Sequence, residues 1–270
     1  MAPTPITDDQ LLDYANRASG KVVLITGAGA GIGKETAIHF AESGAKLVLG
    51  DINLTNVEAV AEQIRTSGGE ALALKCDVTV WDELVDMYEK AMERFGSVDI
   101  VIANAGVSEV GNCCRPGPIP LDESGRPQKP GVTTIDVNVV GVLHTSWIAL
   151  HVPAIMYATS KHAVLGLMRA LDKTTFKPLN IRVSCIHPFY ADTAIIGDFL
   201  RESFKESGVP LVPIGRIVGA IIHSATHPDP STSGGSYYVP GPGSTFFIAR
   251  EDFKAGVYEI LDEQCNAMFK

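Results

Sequence analysis

The chain has 270 residues, of which 46% are hydrophobic and 20% charged, a composition that suits one α/β domain with a substantial core. Its net charge of -9 disfavours binding to nucleic acid or to anionic membranes, because both select for clustered Lys and Arg. No apolar run approaches the ~20 residues that span a bilayer, and the first residues carry acids where a secretory signal carries a basic region. We therefore expect a cytoplasmic protein that acts on a small molecule.

The five cysteines have no C-x-x-C spacing, and a chain of this size does not need a disulfide scaffold. A metal-binding or redox role for the adjacent pair Cys113 and Cys114 is an alternative, although no histidine pattern lies nearby. We expect reduced thiols at all five positions: Cys76, Cys113, Cys114, Cys185 and Cys265.

In the first half of the chain, apolar runs alternate with helical patterns. Residues 7–18 resemble a short helix opened by a Thr or Asp cap, so we assign 1–20 to a helical extension. Residues 21–53 then read as strand, glycine-rich turn, helix closed near Gly44, and a second strand ending at Asp51. The next predicted elements are a helix near 54–67, a strand at 71–78, a helix at 81–95 and a strand at 98–106.

Continuous apolar runs are typical of parallel strands covered on both faces. The fold class predicted is therefore α/β, with a Rossmann-like doubly wound parallel sheet in a single domain at 21–250. Residues 107–131 lack periodicity and predict a surface loop that shapes a substrate pocket. The remaining predicted elements are a helix near 134–150, a helix near 155–177, a strand at 180–188, a variable stretch to Pro213, a helix near 216–226, a strand at 236–241 and a helical tail at 251–270.

A glycine-rich segment, TGAGAGIG at 26–33, lies between the first strand and the first helix. Glycines there let the backbone approach a pyrophosphate, whose charge the helix amino terminus attracts. The spacing G-x-G-x-x-G fails because Ile32 stands at its last glycine, whereas T-G-x-x-x-G-x-G fits. We predict that this turn binds a dinucleotide through Gly27, Gly31, Ile32 and Gly33.

Asp51 ends the second strand, where a carboxylate accepts hydrogen bonds from the adenosine ribose and repels a 2′-phosphate. The glycine turn contains no Arg or Lys, and Lys34 at the start of the helix is only a weak counter-argument. The sequence therefore favours NAD over NADP as the cofactor.

Tyr157 and Lys161 are four residues apart, so on one helix they face the same side and the ammonium favours the phenolate. A Tyr and a Lys at this spacing are ordinarily only exposed helix residues, so the surrounding motifs decide whether the pair is catalytic. Four motifs stand in the order of the short-chain dehydrogenase/reductase family, which the chain resembles from Lys21 to Gly243: Thr26–Gly33, Cys76-Asp77-Val78, Asn104-Ala105-Gly106 and Tyr157-x-x-x-Lys161. The resemblance implies that Tyr157 exchanges a proton with the substrate oxygen during hydride transfer, and that Lys161 also holds the nicotinamide ribose.

The same resemblance implies further roles. Asn138 looks like the family asparagine that supports a proton-relay water, with helix capping as the alternative. Pro188-Phe189 replaces the usual Pro-Gly, so the following loop is expected to sit differently against the nicotinamide. The remaining implied cofactor contacts are Asp77 and Val78 at the adenine, Asn104, Ala105 and Gly106 along the cofactor, and Ala191 to Thr193 at the nicotinamide amide.

The family also places a strand that ends in a catalytic serine before the tyrosine, and no such strand is identifiable in this sequence. Residues 139–150 read as helix interior, which puts Ser146 within a helix, where an ordinary helix role is the simpler interpretation. If 151–155 formed the strand, Pro153 would remove a ladder hydrogen bond. One central strand is thus predicted to be missing or replaced by a short segment. The chain is then either a diverged protein or, as the intact flanks favour, a translated sequence that lacks a piece of an ordinary dehydrogenase.

The leading hypothesis is an NAD-linked enzyme that interconverts a secondary alcohol and a ketone on a hydrophobic molecule, with secondary metabolism as a further guess. The alternative is a catalytically impaired dinucleotide-binding protein or truncated isoform. The resemblance also implies a homo-oligomer. Apolar residues border the expected pocket, although they could equally be core contacts of a lid: Phe189, Tyr190, Ile195, Ile196 and Phe199.

Overall fold

The computed structural model describes residues 7, 10–108, 110, 119–150, 155–191, 193 and 196–254. The described residues form two compact units, the N-terminal unit up to Met156 and the C-terminal unit from Tyr157 onward. Cys76 and Cys185 are buried free thiols, and the other three cysteines lie outside the described residues. No helix in the described ranges is long and apolar enough to cross a membrane.

The N-terminal unit is built on a four-stranded parallel sheet with the strand order β3-β2-β1-β4. Its strands are β1 Val22–Thr26, β2 Lys46–Asp51, β3 Glu70–Lys75 and β4 Ile100–Ala103. The crossover helices are α1 Gly31–Glu42, α2 Leu54–Thr66 and α3 Trp81–Phe95. Because the strands are parallel, their carboxyl ends meet at one edge, where the predicted cofactor residues follow β1, β2, β3 and β4.

Helices cover both faces of this sheet, which confirms the doubly wound prediction. Side chains alternate along a strand. In β1, Val23 and Ile25 pack with α1 and α2 on one face. Val22 and Leu24 pack with α3 on the other. The helices contribute apolar stripes at three- and four-residue spacing, as expected for amphipathic helices on a core: Val57, Val60, Ala61 and Ile64 in α2, and Leu84, Met87, Tyr88 and Ala91 in α3.

A helical path in three parts follows the loop after β4. It consists of α4 Thr133–Ile135, a π-helical turn Asp136–Gly141 and α5 Val142–Leu150. The path packs closely on the sheet, since a Cβ at Gly141 would stand 2.5 Å from Cγ2 of Val78. The Tyr88 hydroxyl donates to the Thr145 carbonyl at 2.9 Å. Ser146 lies inside α5, as predicted.

The C-terminal unit combines one long helix with a small sheet in the order β5-β6-β7. The β5–β6 pair is parallel and the β6–β7 pair antiparallel. Asp172 on the long helix has a side chain only 2% exposed; it accepts a hydrogen bond from Ser233 at 2.6 Å and pairs with Arg250 at 2.8 Å. The elements are α6 Ile155–Leu179, β5 Cys185–Pro188, α7 Asp198–Ser207, α8 Ile214–Thr226, β6 Ser236–Val239 and β7 Phe246–Ile248.

The structure corrects some predicted elements. Residues 10–18 form turns and a 3-10 helix at Ala15–Ala18, not an α-helix, because Ala18 alone is buried there and no apolar stripe stabilises a longer helix. The strand predicted at 180–188 is β5 alone, whose four residues pair with the four of β6. α7 and β7 were not predicted. Of the predicted C-terminal tail, 251–254 belong to a 3-10 helix and the remainder lies outside the described residues.

Helix α5 ends at Leu150 and α6 begins at Ile155, and the intervening residues lie outside the described part of the chain. Among the described strands, β4 pairs only with β1 and therefore forms one edge of its sheet. The loss of a serine-bearing strand stays a prediction. In the long loop, the described part of 107–131 is irregular and exposed, apart from a bridge between Leu121 and Pro127, in agreement with the predicted surface loop.

The core assignment can be tested with two methionines on α3. Met87 is 1% exposed and Met92 is 51% exposed. We expect Met87→Ala to lower the free energy of unfolding by about 2–5 kcal/mol, because it leaves a cavity beneath the sheet. Met92→Ala, the matched control, should cost about 0.5 kcal/mol or less. Urea denaturation followed by circular dichroism measures both, and equal losses would contradict the packing described.

Candidate functional site

A cleft of about 390 Å³ lies at the carboxyl ends of the N-terminal unit's strands. It is lined from four segments that directly follow β1, β2, β3 and β4, and by one residue of the π-helical turn. The lining residues are Gly27, Ala30, Ile32, Gly33, Asp51, Ile52, Cys76, Asp77, Val78, Asn104, Ala105, Gly106, Val107 and Val137.

The glycine turn needs its glycines because it packs directly against backbone. Gly27 has φ +67°, and a Cβ there would stand 2.7 Å from Cα of Ala105. A Cβ on Gly33 would collide with the Gly27 carbonyl oxygen. Gly31 starts α1 with φ +53° and open space around it, so its requirement is conformational, and it does not line the cleft.

Hydrogen bonds tie this turn to the end of β4. The Thr26 hydroxyl, on a residue 1% exposed, accepts from the backbone N–H groups of Asn104 and Ala105 at 3.2 Å each. The Asn104 side-chain amide donates to the carbonyls of Thr26 and Gly27 at 3.0 Å each. Asn104 is therefore a clamp that fixes the glycine turn, in addition to lining the cleft.

The Asp51 carboxylate is held at the cleft by backbone donors. It accepts from the N–H of Gly29 at 2.8 Å and from that of Asn53 at 2.9 Å. One negative charge thereby stands beside the turn at the end of β2, as the sequence predicts for a residue that recognises a ribose. Because Gly29 donates to it, Asp51 also helps to shape the turn.

A series of hydrogen bonds between polar groups holds the segment after β3. Glu83 accepts from Lys75 Nζ at 2.5 Å and from the Asp77 backbone N–H at 2.7 Å. These two donors lower the pKa of Glu83, the bond from Lys75 having the larger effect. Asp77 in turn accepts from the backbone N–H and the hydroxyl of Thr79. The neighbouring Cys76 is 3% exposed, and burial raises the pKa of its thiol to about 12, so it stays protonated at neutral pH.

Asn138 holds the loop that leaves β4. Its side-chain amide accepts from the backbone N–H of Val107 and donates to the Val107 carbonyl, both at 2.8 Å. Thr134 makes comparable bonds with Val110 N–H at 3.2 Å and the Ser108 carbonyl at 3.3 Å. Asn138 therefore fastens a loop rather than capping a helix, and it does so from a π-helical turn, a feature frequent at functional sites.

The predicted catalytic pair lies on α6 in the C-terminal unit. Lys161 Nζ stands 5.1 Å from the centroid of the Tyr157 ring, so the two side chains share one side of the helix as predicted. Tyr157 is 64% exposed, which leaves its hydroxyl accessible. The Ser160 hydroxyl, between them in sequence, donates to the Tyr157 carbonyl at 2.7 Å.

The loop after β5 carries Ala191 and Thr193, and neighbouring elements hold it. Val212 N–H donates to the Tyr190 carbonyl at 2.8 Å, and Ala191 forms a β-bridge with Val212. Arg201 on α7 donates to the Thr193 carbonyl at 3.0 Å. The loop is therefore braced by α7 and by the segment that precedes α8.

Phe189, the residue that departs from the family pattern, contributes to the core of the C-terminal unit. It packs against a cluster that includes Val212 and Val239, and its ring centroid is 6.0 Å from that of Phe204 on α7. Tyr190 lies 4.7 Å from the same Phe204 ring. These contacts favour, for Phe189, the alternative of a core contact over that of a residue lining the substrate pocket. Among the other predicted pocket residues, Ile196 is 7% exposed, Phe199 is 86% exposed, and Ile195 lies outside the described residues.

Within the N-terminal unit, the structure brings the predicted cofactor residues other than Gly31 together around one cleft. Tyr157, Lys161, Ala191 and Thr193 belong to the C-terminal unit. Sequence reasoning missed part of the lining, although each missed residue adjoins a predicted site residue or lies within a recognised motif: Ala30, Ile52, Cys76, Val107 and Val137.

Comparisons with known proteins identify a family and several relatives of this chain. Residues 21–152 match the short chain dehydrogenase family. The chain is 30% identical over 254 residues to a cyclohexanol dehydrogenase from Acinetobacter sp. (strain SE19), covering 83% of this chain and 95% of that protein. It is 31% identical over 223 residues to a 7alpha-hydroxysteroid dehydrogenase from Escherichia coli (strain K12), covering 74% and 83%. A 3-ketoacyl-(acyl-carrier-protein) reductase from Brucella melitensis complexed with NADH is 26% identical, covering 83% and 98%, with a TM-score of 0.40.

The close packing at Gly33 predicts a sharp effect of one added methyl group. We expect Gly33→Ala to weaken NADH binding by about tenfold or more, because the turn must open to admit the Cβ. The matched control is Gly219→Ala on α8, where a Cβ meets nothing within 4 Å. That variant should keep the NADH affinity and gain about 0.5–1 kcal/mol of stability. Calorimetric titration with NADH measures both affinities, and an unchanged affinity of Gly33→Ala would refute the assignment of the turn.

Proposed function

Because the chain belongs to the short-chain dehydrogenase/reductase family of NAD(P)-dependent oxidoreductases, we propose that it uses NAD to interconvert a secondary alcohol and a ketone on a hydrophobic molecule. The observation that carries this proposal is the cleft in which the glycine turn, Asp51 and the ends of β3 and β4 converge. The Tyr157 and Lys161 pair on α6 adds the group that would transfer a proton.

The cleft suits a dinucleotide for two physical reasons. A turn without side chains at Gly27 and Gly33 leads into the amino terminus of α1, whose unpaired N–H groups and dipole favour a pyrophosphate. The Asp51 carboxylate, already fixed by two backbone donors, offers acceptors to ribose hydroxyls and opposes a second negative charge. The first reason supports either nicotinamide dinucleotide, and the second supports NAD.

Proton transfer is assigned to Tyr157. Its side chain is exposed and Lys161 Nζ lies beside its ring, so the phenol is accessible to give a proton to a substrate oxygen or take one from it. The nicotinamide, when bound, supplies or accepts the hydride. Asn138 is proposed to support proton supply from the Val107 loop, and Ala191 and Thr193 to contact the nicotinamide amide.

A hydrophobic substrate is supported by the apolar residues around the loop after β5. Tyr190 is 42% exposed and Phe199 is 86% exposed, so both offer apolar surface that a ligand can cover. The relatives named for cyclohexanol and for 7alpha-hydroxysteroids act on cyclic alcohols. We propose a cyclic secondary alcohol or ketone as the substrate class, in a secondary-metabolic role.

We also propose that residues 21–250 form the nucleotide-binding domain between a short N-terminal extension and a C-terminal tail, and that the protein is a cytoplasmic homo-oligomer. The second candidate function is a dinucleotide-binding protein with impaired catalysis, or a truncated isoform. It is favoured by Ser146, which lies within α5 and not at the end of a strand.

Cofactor choice is tested at Asp51. We expect the native chain to bind NADH more tightly than NADPH, and Asp51→Asn to reduce this preference by about tenfold, because it removes the charge that opposes the 2′-phosphate. Asparagine keeps an oxygen that can accept from Gly29 N–H. The control Asp82→Asn lies outside the cleft and should leave the preference unchanged. Fluorescence titration of each variant with both nucleotides gives the ratio, and a ratio unaltered in Asp51→Asn would exclude this role.

Catalysis is tested at Tyr157. We expect Tyr157→Phe to lower kcat by about 100-fold or more on a responsive cyclic ketone, because the proton donor is lost, while NADH affinity stays within about twofold. Tyr238→Phe, a 40% exposed tyrosine on β6, is the control and should remain active. A native chain that binds NADH but turns over no member of a cyclic alcohol and ketone panel would support the second candidate function instead.

A further inference from the structure

The N-terminal unit has a second cavity, separate from the dinucleotide cleft. It measures about 960 Å³ and lies between the turns at residues 11–18 and the outer side of α1. Ligand pockets in proteins occupy about 300–1,000 Å³. The size is therefore that of a small-molecule site.

Both of its walls carry large apolar side chains. The turns contribute Leu11, Leu12 and Tyr14, which are 63%, 62% and 74% exposed, and α1 contributes Phe40 and the 80% exposed Ile32. Large apolar side chains gathered around a concavity and left in contact with water gain stability when an apolar ligand covers them. Two aromatic rings among them suit a flat ligand body.

The polar residues of the wall set the character of the ligand's polar end. Glu35, His39 and Glu42 follow one another along α1 at spacings of four and three residues, and Arg17 comes from the turns. His39 Nδ1 lies 3.2 Å from Glu42 Oε2. Carboxylates only accept hydrogen bonds, so Glu35 and the second carboxylate oxygen of Glu42 offer acceptors to a ligand that donates.

One side chain, Ile32, lines both the second cavity and the dinucleotide cleft. It stands in the first turn of α1, next to Gly33, which packs tightly against the Gly27 carbonyl. A substitution at Ile32 therefore changes a wall of both cavities, whereas one at Leu12 changes only the second.

We propose that the second cavity is a binding site for a small, largely apolar, preferably aromatic molecule that carries a hydrogen-bond donor. The site is distinct from the dinucleotide cleft and touches it through Ile32.

The test uses N-phenyl-1-naphthylamine, a neutral aromatic amine whose fluorescence rises in apolar surroundings. We expect saturable binding of one probe per chain, weakened about tenfold by Leu12→Ser. The matched control is Leu54→Ser, because Leu54 is 49% exposed at the start of α2 and does not line the cavity. Equal probe affinity in the native chain, Leu12→Ser and Leu54→Ser would overturn the proposal.

Two further measurements identify which of the two cavities binds the probe. Saturating NADH should leave the probe bound, and displacement of one probe by one NADH would put the probe in the dinucleotide cleft and overturn the proposal. Ile32→Ala should weaken both probe and NADH, and a loss confined to NADH would count against the shared wall. If the native chain fails to bind NADH, the proposed function fails, while the comparison of Leu12→Ser with Leu54→Ser still decides the second cavity.

Discussion

The approach of the glycine turn to the end of β4 is the constraint on which the site depends. Gly27 lies against the backbone of Ala105, and Gly33 lies against the carbonyl of Gly27, so no side chain fits at either position. The Asn104 amide and the buried Thr26 hydroxyl close the same junction with hydrogen bonds. Two neighbouring strands therefore end in one rigid corner, and the cleft takes its shape from it.

The parts of the fold that the sequence predicted are those in which apolar periodicity is strong. Helix α3 was predicted with its observed bounds because its buried residues recur every three or four positions. Helix α7 escaped notice because none of its residues is buried, and β7 because three residues carry no period. The extension at 7–18 was overestimated, since a plausible cap without an apolar stripe does not sustain an α-helix.

The residues of the site also divide into those that the sequence predicts and those that it does not. Asp51 was predicted from its carboxylate at the end of a strand and Asn104 from the family resemblance, and both line the cleft. Ile52 and Val137 were missed because an apolar side chain, even beside a predicted polar residue, cannot be told from core by sequence alone. The hydrogen bonds that Asn104 makes to the glycine turn and that Asn138 makes to Val107 could not be predicted from the sequence, because each joins segments distant in the chain. Phe189, noted as a departure from the family, proved to pack with the core of the C-terminal unit.

We propose that the cleft at the carboxyl ends of β1 to β4 binds a dinucleotide although the described strands of this sheet end at β4. Hydrogen exchange followed by mass spectrometry, with and without NADH, tests this claim most directly. We expect NADH to slow exchange in peptides that contain Gly27–Gly33, Asp51–Asn53 and Asn104–Val107, and to leave exchange in α2 unchanged. Exchange rates in all of these peptides that are the same with millimolar NADH as without it would contradict dinucleotide binding in this cleft.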